Sequence, residues 1–141
     1  MVVGQAVLTG CGDSSDDGVT CLPMLPRDCA SEPEPPIFRE IYPDLLRSCG
    51  APGTGAECHG TENDNGLDLS NIDTAYDELL GHAEDGRARV IEEDPECSVL
   101  VQRLESDDRD FRMPRSGNQF NERQLCAVRR WIANGAKRDE D

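Results

Sequence analysis

The chain has 141 residues, 36% of them apolar and 4% aromatic, enough for one modest domain and a tail but thin for a self-sufficient core. Fourteen Lys and Arg stand against 29 Asp and Glu, and the resulting net charge of −15 argues against nucleic acid and anionic membrane surfaces as partners. Seven cysteines are a heavy load for a reducing compartment and point to an exported protein; their odd number sets one apart from the rest.

That one is Cys11. The run Leu8-Thr9-Gly10-Cys11 resembles a bacterial lipobox, in which cleavage precedes the cysteine and the cysteine is acylated. Apolar, uncharged residues precede it and the acidic stretch GDSSDDG follows. Residues 1–10 contain no Lys or Arg, so they read as the remnant of a lipoprotein signal peptide whose basic beginning lies upstream. Gly12 follows Cys11 where an aspartate would signal inner-membrane retention, which points weakly to the outer membrane.

Residues 11–36 are acidic and proline-containing, ending in Pro35-Pro36, and the expectation is a disordered linker lifting a domain off a membrane. Within it Cys21 and Cys29 are eight positions apart, and a local disulfide is the expected pairing. No apolar run approaches the ~18 residues needed to span a bilayer.

Residues 37–141 form the folded part, and its expected class is all-α. A first helix over about 37–48 collects Phe38, Ile41, Tyr42, Leu45 and Leu46 on one face, with Pro43 bending or restarting it. A short helical turn is expected near residues 74–80. Asp94-Pro95-Glu96 has the order of an N-cap, an N1 proline and a first-turn acid, and would open a helix through Leu104. Asn121 and Gln124 pair as a capping box for a last helix carrying Leu125, Val128, Trp131 and Ile132, and Asn134-Gly135 supplies its C-cap.

The chemistry concentrates at SCGAPGTGAECHG, residues 48–60. Two cysteines, the second followed at once by histidine, follow the logic of c-type haem attachment: thiols add to the vinyl groups and the adjacent imidazole ligates iron. The usual spacing puts two residues between the cysteines; here eight intervene, and they include Gly50, Pro52, Gly53 and Gly55.

The chain resembles a family of bacterial, often lipid-anchored, cytochrome c-like domains of planctomycetes and myxobacteria. The pieces that carry the resemblance are the apolar helix before Cys49, Cys58-His59, GLDL at residues 66–69, RVIEEDPECS at 89–98, Met113-Pro114, and WIANGA at 131–136. The resemblance implies a cytochrome c-like fold with covalent haem c between the first and last helices. It implies thioether bonds to Cys49 and Cys58, and His59 and Met113 as axial iron ligands. Trp131 and Ile132 would then pack on Phe38 and Leu45. A methionine sulfur as sixth ligand raises the potential and closes the iron, which argues for electron transfer rather than enzymatic turnover. The expected function is one-electron carriage at the bacterial envelope, in the periplasm or on an outer-membrane lipoprotein. A redox partner with a basic docking surface would suit the acidic charge, and membrane contact would come only through the Cys11 lipid.

Each residue has a plainer reading. Met113 alone is more often packing than ligand, and His82 is more often a solvated loop residue, although it is the next candidate for the sixth ligand. Asp107, Asp108 and Asp110 read as a solvated surface. Residues 62–68 fall out of EF-hand register, zinc-knuckle spacing is absent, and no hydrolytic triad can be assembled. With Cys11 acylated and Cys49 and Cys58 on haem, the remaining cysteines pair as Cys21–Cys29 and Cys97–Cys126. Without haem, Cys49–Cys58 becomes a third disulfide, and the domain is a disulfide-stapled structural or binding module. The cysteine count fits both.

Overall fold

A computed structural model describes residues 21, 29, 34–50, 59–60, 66–114 and 119–139. Cys11 and Cys58 lie outside the described residues, as does most of the expected linker. The fold is helical, with no strand among the described residues and one isolated antiparallel bridge between His82 and Ala88. Four helices follow in order: α1 (Phe38–Leu45), α2 (Ile72–Leu79), α3 (Val99–Glu105) and α4 (Glu122–Ala133).

α1 runs through Pro43 rather than restarting there, and widens at once into a π-helical turn, Leu46–Gly50, that carries Cys49. A π turn is where a helix absorbs a local misfit, and such turns gather at functional sites. Helix α2 starts earlier than expected because the Asn71 side chain accepts from the backbone N–H groups of Asp73 and Thr74. α3 starts later than expected. Asp94 caps a separate turn, its Oδ1 accepting from Cys97 N at 3.1 Å, and Ser98 becomes the residue before the helix. The Ser98 hydroxyl accepts from Ile91 N and donates to Asp94 O, both at 2.8 Å, so the chain folds back on itself before α3 can begin. α4 matches the sequence reading, with reciprocal Asn121–Gln124 capping bonds and Gly135 at φ +86° beyond its end.

The core is organised by Trp131 and Phe38, both fully buried, with ring centroids 5.3 Å apart. Tyr76 of α2 joins them, 5.2 Å from Phe38, and donates its hydroxyl to Ala136 O at 2.9 Å. Trp131 Nε1 and Phe38 N both donate to Lys137 O at 2.9 Å, so one carbonyl beyond α4 ties down both ends of the aromatic contact. α1 thus packs on α4 as expected, and a few large side chains do the work that the low aromatic content seemed to forbid.

The disulfides differ from the expected pairs. The same four cysteines are used, but Cys21 joins Cys97 and Cys29 joins Cys126, with Cα–Cα distances of 4.2 and 5.3 Å. Neither Cys21–Cys29 nor Cys97–Cys126 forms. The reason is spatial: Cys97 stands before α3 and Cys126 within α4, and each receives one cysteine from the N-terminal segment. The bridges close spans of 76 and 97 residues. Long closed loops remove more freedom from the unfolded chain than a local loop does, about 4–5 kcal/mol for one bridge of this length in the chain-entropy account. Two points of the expected linker are therefore covalently held to the helical body. Beside these bridges, Arg129 of α4 donates to Glu105 at 2.5 Å and Glu96 at 3.3 Å, tying α4 to the last residue of α3 and to the turn that precedes it.

Candidate functional site

A cleft of about 260 Å³ opens beside the end of α1. Its walls are largely apolar, with Leu45, Leu67, Leu69, Leu79, Val99 and Leu104 among them, and the exposed Glu84 and Asp85 stand where it meets solvent. Cys49, His59 and Met113 all line it. Thus a thiol, an imidazole and a thioether, spread over 64 positions of sequence, share one cavity (113 − 49 = 64).

Local structure explains how each arrives. Cys49 is buried at the end of the π turn. Gly50 follows, and a Cβ there would stand 3.0 Å from Leu69 Cβ and 3.3 Å from His59 O. A side chain there would push on Leu69 or the His59 carbonyl, so the glycine lets the Cys49 turn lie close to the His59 backbone without displacing them. His59 O accepts from Leu69 N at 2.6 Å, so the GLDL stretch both anchors the histidine and supplies Leu67 and Leu69 to the wall. The His59 residue is 9% exposed. Met113 N donates to Arg103 O at 2.8 Å, and Arg103 Nη1 returns a bond to Phe111 O at 2.9 Å. Those two bonds fasten the Met113 loop onto α3.

His82 is exposed and is not among the cleft-lining residues; it belongs to the small bridged loop with Ala88. The sequence reading missed the arginines. Arg87, Arg89 and Arg103 line the cleft, with Arg89 only 9% exposed and its Nη1 bonded to Glu78 O at 2.8 Å. Arg87 and Arg103 sit over the Phe111 ring, at 6.0 and 4.0 Å from its centroid. Asp85 is held below its ordinary pKa, first by the backbone N–H of Arg87, then by the Arg87 side chain and the charge of Arg103, against some desolvation.

Residues 56–117 match the family model described as Planctomycete cytochrome C. The match supports a cytochrome c-like domain of the planctomycete type over that segment. The matched segment contains every cleft-lining residue except Leu45 and Cys49, so the family likeness and the cavity coincide. No curated protein and no solved structure matches the chain. The family, with four cysteines in disulfides, suggests an extracytoplasmic protein. Among the described residues, no helix is long and apolar enough to cross a membrane.

The donors in the cleft are of chemical kinds that could ligate a porphyrin iron. Among the described residues no three His, Cys, Asp or Glu side chains are grouped to hold a bare metal ion. His59 and Met113 are two donors of the kinds that bind haem iron in electron carriers, and a porphyrin leaves two positions to the protein. Apolar walls suit the macrocycle between them.

Proposed function

We propose that this cytochrome c-like domain binds haem c and carries single electrons at a bacterial envelope. The observation that carries the proposal is the convergence of Cys49, His59 and Met113 on one apolar cleft within the family-matched segment. When bound, haem supplies the one-electron iron couple. The chain's own residues do the rest. His59 and Met113 would hold the iron from its two axial positions, and Cys49 with Cys58 would supply the sulfurs of the thioether bonds. Leu45, Leu69 and Leu79 give the cavity apolar walls, which would favour the less charged, reduced iron centre. With His59 and Met113 both engaged by the iron, no position would be left open for a substrate, and the reading is a carrier and not an enzyme. The partner is a redox protein with a basic docking surface, drawn by the net charge of −15. Cys11 is the proposed lipid attachment point, which puts the domain on the periplasmic face of the inner or the outer membrane.

A second reading has its own support. Two long-range disulfides already close the fold, and eight residues separate the two cysteines that would take haem. On that reading the domain is a haem-less scaffold or binding module with Cys49 joined to Cys58. Absorption spectroscopy separates the two. Protein matured beside haem-attachment machinery is expected to show a Soret band and to keep its haem on a denaturing gel. Met113→Ala is expected to keep the Soret band and lose the weak methionine-to-iron absorption in the far red. A folded, colourless product overturns the carrier reading; a far-red band that survives Met113→Ala removes Met113 as ligand.

A further inference from the structure

We infer that this chain is a substrate of a thiol–disulfide isomerase, because each of its two bridges passes over a nearer cysteine and is reached by exchange from the pairs Cys21–Cys29 and Cys97–Cys126. The inference rests on the bridges and on export, and it holds with or without haem. The four cysteines run 21, 29, 97, 126, yet the bridges join the first to the third and the second to the fourth. In an exported chain Cys21 and Cys29 meet oxidising surroundings first, before either partner has followed them. They stand eight positions apart, whereas the bridges span 76 and 97. Loop closure in an unfolded chain weakens as about the three-halves power of length, so Cys21 meets Cys29 about thirtyfold more readily than Cys97. Cys126 meets Cys97, 29 positions away, about sixfold more readily than Cys29. Cys49 and Cys58 stand nearer to each other than to any of the four. The first bridges to form are therefore the near-neighbour pairs, and the folded protein joins all four cysteines differently.

Exchange from those pairs conserves every bond. Oxidation comes first: each pair of thiols gives two electrons and two protons to a disulfide-bearing oxidant and gains one S–S bond. A thiolate of the isomerase then attacks Cys21 in Cys21–Cys29, forming a mixed disulfide and releasing the Cys29 thiolate. Cys29 attacks Cys126 in Cys97–Cys126 and releases the Cys97 thiolate. Cys97 attacks Cys21 in the mixed disulfide and sets the isomerase thiolate free. Two disulfides enter and two leave, with no net gain or loss of electrons. The fold gathers the groups that must exchange. Glu96 precedes Cys97, Arg129 lies three positions beyond Cys126 on α4, and their side chains pair at 3.3 Å, so both bridges border one contact. None of the four cysteine residues is fully buried, which leaves an incoming thiolate room to approach. Folding gives the exchange its direction: with α4 packed on α1 and tied to Glu96 and Glu105, Cys97 and Cys126 each receive one cysteine from the N-terminal segment.

The test refolds the full chain, reduced and unfolded, in two arms: excess oxidised glutathione alone, which consumes free thiols and stops exchange, and the same oxidant with a purified protein disulfide isomerase and reduced glutathione. Samples are acid-quenched over time, alkylated and mapped with trypsin, for which Arg27 provides a cut between Cys21 and Cys29. Cys21–Cys29 is expected as the main early bridge in both arms. With the isomerase it is expected to decay as Cys21–Cys97 and Cys29–Cys126 rise, with a final native yield at least about fivefold above that of the oxidant alone. Native bridges that appear directly, with no Cys21–Cys29 trapped at any time, overturn the inference. So does an equal native yield in the two arms, which would show that the chain sorts its own cysteines. Finding Cys21–Cys29 and Cys97–Cys126 in the mature protein overturns it as well. Both arms use the unaltered chain, so no substitution can blur the result, and none of these outcomes bears on whether haem is bound.

Discussion

The two ends of α1 sit in different surroundings. At its start, Phe38 is enclosed by Trp131, Tyr42 and Tyr76, and the neighbouring carbonyls of Ala136 and Lys137 are tied by hydrogen bonds. At its end, Leu45 faces a cleft that side chains line without filling, and the helix widens into the π turn that delivers Cys49. Stability is concentrated in the aromatic hub and in the disulfides on α4 and before α3, while the cavity is left as a gap in otherwise close packing. The contrast teaches that this small domain need not take all of its stability from a cofactor, because one region holds the fold and another is shaped for a ligand.

Substitutions can break that division, the hub first. Trp131→Ala is expected to cost about 3–5 kcal/mol, since it empties the centre of the core and releases Lys137 O; urea unfolding followed by circular dichroism measures it. A cost below about 1 kcal/mol would mean that the hub is not the stabilising region. Next come the bridges. Cys29→Ser with Cys126→Ser is expected to lower stability by about 2–5 kcal/mol, and peptide mapping of the unaltered protein is expected to recover Cys21–Cys97 and Cys29–Cys126. Tyr76→Phe removes only the hydroxyl that reaches Ala136 O and is expected to cost about 1 kcal/mol.

The smallest effect belongs to the rim of the cleft. Asp85 has its folded-state pKa lowered, chiefly by the Arg87 backbone N–H, so the stability it contributes is present above the ordinary carboxylate pKa and is lost as pH falls through the lowered value. Asp85→Asn is expected to lower stability slightly at neutral pH and to flatten part of the acid limb of a stability-against-pH curve, so that the variant and the unaltered protein converge at low pH. A change centred above pH 6 would contradict that sign.

What was legible in the sequence follows from the range of the forces involved. The capping box at Asn121 and the glycine after Asn134 are local signals, and α4 has the bounds they imply. The family resemblance implied the Phe38–Trp131 contact, and the apolar faces of α1 and α4 agree with it, because periodicity records which side of a helix is buried. Asp94-Pro95 misled because the same residue order also begins a tight turn, and here the buried Ser98 hydroxyl holds that turn closed. The disulfide partners were illegible, since nearness along the chain says nothing about which cysteines the fold brings together. His59 was singled out by its place directly after Cys58 and Met113 by the family resemblance; that both line one cleft needed the Gly50 contact and the Arg103 bonds to explain it. The cleft arginines carried no pattern at all: three guanidiniums at positions 87, 89 and 103 become a group only when folded.

The most direct measurement is the intact mass and cysteine state of the full chain after maturation beside haem-attachment machinery. A haem carrier would gain the mass of one haem, resistant to denaturant, with Cys49 and Cys58 both blocked as thioethers and the other two pairs oxidised. A mass without haem, and a Cys49–Cys58 disulfide in the peptide map, would contradict electron carriage and leave a disulfide-held scaffold.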